Sequence, residues 1–158
     1  MCKRFDGTIR IGRAALKAAV VAFVAAGAVT QANAQETFKV GVVTFLSGQA
    51  AESFGIPAAN SAKVMVEAFN KGTAPKPYDK AGFGGMKVAV TLVDEAGGAT
   101  KQVQELRNLY QRETVDVVVG FVGSGDCLAV APVAEELKKP LVLFDCGTPR
   151  IFEDASYK

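Results

Sequence analysis

The chain has 158 residues, of which 49% are hydrophobic and 22% charged; this is the composition of one globular domain and not of a disordered chain. It contains no histidine, which excludes Ser-His-Asp and Cys-His catalysis, a histidine base and histidine metal ligation together. The net charge of +2 is too small to point to nucleic acid, and without residues 1–34 the balance becomes 13 basic against 15 acidic side chains.

The first segment reads as a targeting signal. Lys3, Arg4, Arg10, Arg13 and Lys17 precede an apolar run from Ala18 to Val29, and Ala32 and Ala34 supply the small-x-small pattern that a signal peptidase accepts. A membrane anchor needs about 20 apolar residues, so this run is too short to span. Cleavage after Ala34 is expected, leaving residues 35–158 in an exported, oxidising compartment with no stable membrane insertion. No cysteine follows the apolar run, which argues against a lipid anchor at the cut. Cys2 leaves with the signal; Cys127 and Cys146 remain. Two cysteines without histidine or a CxxC spacing argue against zinc, and no cofactor is expected.

Phe38–Phe45 is a short apolar, β-branched run and predicts a buried strand. Leu46–Phe54 is polar and predicts a loop. Gly55-Ile56-Pro57 opens a helix, with Pro57 suited to its first turn, Ala62, Met65, Val66 and Phe69 on its inner face and Gly72 at its end. Residues 72–86 are rich in Gly and Pro and predict a long mobile loop. Lys87–Asp94 is the second predicted strand. Thr100 is placed to cap a helix reaching Arg112, with Val103, Leu106, Leu109 and Tyr110 facing inward. Val115–Val122 predicts the third strand and Leu128–Lys138 a third helix that kinks or restarts at Pro132. Pro140–Phe144 predicts the fourth strand.

Strands that alternate with helices and are apolar throughout belong to a parallel sheet covered on both faces. The fold class is therefore α/β, a doubly wound open parallel sheet. Ligands of such sheets bind beyond the carboxyl ends of the strands. Here those ends are Ser47-Gly48, Asp94-Glu95, Gly123-Ser124-Gly125 and Cys146-Gly147-Thr148. Ser124, at the start of a helix, suits a carboxylate, because free N–H groups and the helix dipole favour an anion there. Ser124 and Thr148 are equally suited to capping, and Ser47 to turn chemistry. Asp94 and Glu95 could act as an acid–base pair, although adjacent carboxylates at a strand end are more often solvated. Gly120–Gly125 has neither the GxGxxG order nor a phosphate-loop lysine, and Cys127 has no histidine base, so an enzyme is disfavoured.

Beyond these patterns, several motifs carry a resemblance. Leu46-Ser47-Gly48 with Phe54-Gly55, Gly120 and Ser124 with Ala131-Pro132-Val133-Ala134, and Pro140-Leu141-Val142 with Gly147-Thr148 occur in the order and spacing of type 1 periplasmic binding proteins. The chain resembles the first lobe of the leucine/isoleucine/valine-binding kind, the substrate-binding components of ABC importers. The resemblance implies that Ser124 holds a ligand carboxylate and that Thr148 binds the polar head. It implies that the Cys146 carbonyl meets a ligand ammonium group and that Phe54, where the family often has tyrosine, lines the pocket; a core role for Phe54 is as plausible. The turn Asp94–Ala99 departs from the family's Asp-Pro-like pattern, and the loop 72–86 looks longer than usual.

The resemblance further implies a periplasmic location, an ABC permease as partner, and a small ligand: an amino acid, an amide or an aromatic acid. It implies two lobes, of which residues 35–158 supply only part of the first, so a fragment with exposed apolar surface is expected. It also sets Cys127 and Cys146 near the ends of adjacent strands, where a disulfide is a candidate. A ligand-sensing module that signals to a membrane partner is the alternative function, and an exported α/β enzyme a remoter one.

Overall fold

A computed structural model describes residues 36–154, 156 and 157. The predicted signal segment, residues 1–34, lies outside the described residues. Four strands form one sheet: β1 (Thr37–Thr44), β2 (Lys87–Asp94), β3 (Val117–Gly120) and β4 (Leu141–Leu143). Their order is β2-β1-β3-β4 and every pairing is parallel, with Val40 level with both Val90 and Val117. The helices are α1 (Ile56–Lys71), α2 (Ala99–Gln111), α3 (Ser124–Leu137) and α4 (Arg150–Glu153), and a single π turn (Ala51–Gly55) leads into α1. No helix among the described residues is long and apolar enough to cross a membrane.

The doubly wound α/β sheet predicted from the strand pattern is what forms. From central β1 the chain goes first to β2 on one side and later to β3 on the other. The β1–β3 boundary is thus the point where strand order reverses, and a crevice opens above such a boundary in sheets of this kind.

The two faces are filled unequally. On one, Val43 and Val118 pack beneath Leu106 and Leu109 of α2 and Cys127 and Val130 of α3, all of them closed to solvent. Gly41 lets α2 come close: a Cβ there would lie 3.1 Å from a Leu109 methyl. Each leucine buried this way is worth about 1.5–3 kcal/mol. Of the described helices, the opposite face carries only α1, with the Phe83 ring beside it over Phe38. Val40, Val42, Val117, Val119 and Val142 share a groove of about 690 Å³ with Met65 and Phe69 of that helix. Val142 is 50% and Met65 45% exposed. Met65 lines the sheet-side groove, as its place on the inner face predicts, yet stays partly exposed, because one helix is too narrow to cover four strands.

Local differences have local causes. α1 ends at Gly72, whose φ of 66° turns the chain out of the helix. Gly98, not Thr100, precedes α2, because its φ of 78° swings the chain into the helix while Thr100 already lies within the first turn. β3 is half its predicted length, since Phe121 leaves the strand at φ 67° with its ring fully buried. α3 begins at Ser124, four residues before the predicted start, and runs through Pro132 without interruption. Residues 72–86 are held at several points: the Gly82 N–H donates to the Phe69 carbonyl, Phe83 pairs with Met86, and the Phe83 ring lies 4.7 Å from that of Phe38.

Candidate ligand-binding site

Asp94 closes the end of β2 onto the end of β1. Its carboxylate accepts the Leu46 N–H at 2.9 Å, the Ala96 N–H at 3.0 Å, the Ser47 N–H at 3.3 Å and the Ser47 hydroxyl at 2.6 Å. Burial pushes this acid upward, but the Ser47 hydroxyl and the three N–H groups outweigh it and hold the pKa at about 2. A depressed carboxyl stabilises the fold above the ordinary range, and that contribution is lost as pH falls through about 2. Asp94→Asn is therefore expected to cost about 1–2 kcal/mol at neutral pH, allowing for solvent screening. It should also flatten the acid limb of the stability curve. Urea melts of both forms at neutral and acid pH measure this; equal midpoints at neutral pH would contradict it.

Glu95, one residue on, is completely buried. Its carboxylate reaches across to the β3–α3 turn, accepting the Val122 N–H at 2.9 and 3.0 Å and the Gly123 N–H at 2.7 Å. The Asp126 carboxyl, on the first turn of α3, faces it. Gly123 makes room for both: a Cβ there would sit 2.7 Å from Asp126 Oδ2 and 3.2 Å from Glu95 Oε1. The expectation that strand-end carboxylates are solvated fails for Glu95. The main-chain donors that keep it inside lie 27 and 28 residues further along, and no local pattern announces them.

Ser124 is the first residue of α3, ahead of the first intrahelical bond, from the Cys127 N–H to the Gly123 carbonyl. It is half-buried, between exposed Gly125 and the next strand's loop. That loop is close: a Cβ on Gly147 would lie 3.7 Å from Ser124 Oγ. The two segments are joined covalently, since the sulfurs of Cys127 and Cys146 are bonded with their Cα atoms 6.2 Å apart. Cys127 therefore offers no thiol nucleophile. Thr148 follows Gly147, and its Oγ1 accepts the Arg150 N–H at 3.4 Å at the start of α4.

The other sequence candidates stand apart from this lip in their bonding. The Ser47 hydroxyl is committed to Asp94. Phe54 projects from the π turn and is 52% exposed, so it is not a core residue. Among the described residues, no cluster of three or more Cys, Asp or Glu side chains is arranged to hold a metal ion. What the β3–α3 and β4–α4 loops offer is a small polar lip. It has the hydroxyls of Ser124 and Thr148, first-turn N–H groups and the positive end of a fourteen-residue helix, a set suited to a carboxylate.

The sequence profile of the periplasmic binding protein family matches residues 37–153. The chain belongs to this family. The family is the one to which the motifs pointed. No curated protein matches the chain by sequence. Among solved structures it is similar to an ABC transporter solute-binding protein of Rhodopseudomonas palustris BisB5 in complex with 3,4-dihydroxybenzoic acid. That pair shares 28% identity at a TM-score of 0.62, over 77% of this chain and 30% of the other. A second R. palustris solute-binding protein, in complex with 4-hydroxybenzoate, gives 25% identity and 0.59 over 77% and 30%. The fold is shared with the branched-chain amino acid binding protein LivJ of Streptococcus pneumoniae in complex with isoleucine, at 22% identity and 0.65 over 77% and 32%. The chain thus spans about a third or less of the length of these binding proteins.

Proposed function

We propose that this chain provides one wall of the ligand cleft of an extracytoplasmic solute-binding protein that serves an ABC importer, and that it is not an enzyme. The observation that carries the reading is the meeting of the β3–α3 and β4–α4 loops at the carboxyl ends of the strands, with Ser124 at the helix start and Gly147 against it. The Ser124 hydroxyl and first-turn N–H groups hold a carboxylate. Thr148 and the Cys146 carbonyl meet the remaining polar groups, and Phe54 supplies an aromatic surface. Ser47 acts one step back, fixing the β1 loop through Asp94. The solute-binding proteins at 25% and 28% identity are bound to hydroxybenzoates, which bear a carboxylate. Small carboxylates, aromatic acids and amino acids together, are accordingly the ligand class proposed. Residues 1–34 serve as the export signal, placing the rest in the periplasm beside a permease.

The test is a thermal-shift screen of the full chain against isoleucine, 4-hydroxybenzoate, 3,4-dihydroxybenzoate and the corresponding amides. A ligand that binds only the folded form raises the melting temperature. Carboxylates should shift it more than amides. Ser124→Ala should weaken the best ligand about tenfold or more, because a hydrogen bond to a charged group is worth about 1.5–3 kcal/mol. Unchanged affinity in that variant, measured by calorimetry, would remove Ser124 from the site.

A further inference from the structure

Glu95 and Asp126 are buried acids that solute binding does not use, and they lie directly beneath the lip. Glu95 is fully buried and Asp126 8% exposed. Both carboxyls crowd the same point beside Gly123, within 3.2 Å of where its Cβ would be. Among the described residues neither has an ion-pair partner. The charged groups around them are spoken for. The Asp94 carboxylate is bonded to Ser47, Leu46 and Ala96, and Lys101 of α2 points its ammonium at the carbonyls of Asp94 and Ala96. Gln102, the remaining polar neighbour, donates to the Glu95 carbonyl and not to its carboxyl. Two adjacent carboxylates that share a buried space without a cation cannot both ionise cheaply.

We propose that Glu95 and Asp126 hold one proton between them, and that this shared proton sets the β3–α3 loop that presents Ser124. The inference rests on the solute-binding reading of Ser124. With the proton in place, Asp126 bonds to Glu95, Glu95 anchors the N–H groups of Val122 and Gly123, and the first turn of α3 is held down. When the proton is lost to solvent, two negative charges face each other. Asp126, the less buried, turns outward and loosens the turn two residues from Ser124. Burial, first of all, raises both acids. The folded pair therefore keeps a proton that the unfolded chain has released. Its contribution is full below the ordinary carboxyl range and is lost as pH rises through the pair's own range.

Carboxyl-detected NMR titration of the full chain tests this without ligand. One of the two acids should stay protonated above the range in which ordinary carboxyls ionise. The Gly123 and Ser124 amide resonances should move with the same midpoint. Glu95→Gln, which keeps an acceptor for the Gly123 N–H, should abolish that step and leave the Ser124 amide insensitive to pH. Asp126→Asn serves the same purpose if the glutamine variant does not fold. Independent ionisation of both acids in the ordinary range overturns the proposal, as does a Ser124 step that persists in Asp126→Asn. Calorimetry with 4-hydroxybenzoate, at two pH values that bracket the step and keep the probe ionised, should show affinity about tenfold lower on the alkaline side, equivalent to one pK unit of coupling. Equal affinity at both overturns the link to capture. If Ser124→Ala binds the probe as the parent does while the titration persists, it is the binding role of Ser124 that fails and the shared proton stands.

Discussion

Gly55→Ala is expected to destabilise the protein by about 4 kcal/mol or more. A Cβ on Gly55 would lie 1.5 Å from the Phe45 carbonyl oxygen, 2.4 Å from its carbon and 2.8 Å from the Phe45 Cα. These are backbone atoms at the end of β1, so no rotamer change relieves the overlap. Either β1 must shorten or the π turn must lift away, and with it the start of α1, since the Gly55 N–H is anchored to the Ala50 carbonyl. The loss is steric and not conformational, because Gly55 has ordinary helical torsions (φ −73°, ψ −49°). Chemical denaturation, or soluble yield if the variant cannot be purified, measures it. A cost below about 1 kcal/mol would mean that α1 does not cross β1 this closely.

Reduction of the Cys127–Cys146 bond is the second large effect. The two residues are 19 positions apart, and the chain-entropy model assigns a loop of that size about 3 kcal/mol. For a domain of this length that corresponds to a fall in melting temperature of roughly 10 °C. The functional consequence is more specific. Cys127 is on the first turn of α3, three residues after Ser124, and Cys146 is two residues before Thr148. The bond thus ties together the two segments that make the lip. Cys127→Ser with Cys146→Ser should lower the melting temperature by the same amount as reductant and should make the double variant indifferent to reductant. A melting temperature that reductant leaves unchanged in the parent would show that the bond adds nothing to stability.

The site's residues are unevenly legible in the sequence, for a physical reason. Ser124 and Gly147 stand at strand ends that the apolar runs already marked, and in a parallel sheet all strand ends of one sense lie on one edge. Their nearness follows from topology. The roles of Asp94 and Glu95 do not. Asp94 binds Ser47 across 47 positions, and Glu95 binds Gly123 across 28. Two neighbouring acids look alike in sequence. One faces a hydroxyl and main-chain donors near the surface, and the other is sealed beneath a helix start beside a third acid. Their titration is pulled in opposite directions, downward for Asp94 and upward for Glu95.

The sequence by itself determined the strand and helix alternation, the parallel sheet and the helix end at Gly72, because apolar periodicity and the backbone freedom of glycine act over a few residues. It also carried the family, through short motifs whose order survives in one chain. Only the tertiary structure decided where α2 and α3 begin, how little of one sheet face α1 covers, and which carboxyl is held by a hydroxyl and main-chain donors and which lies against another acid. Those outcomes depend on partners brought near by the crossovers, and a side chain's partner across the sheet leaves no mark on the residues beside it.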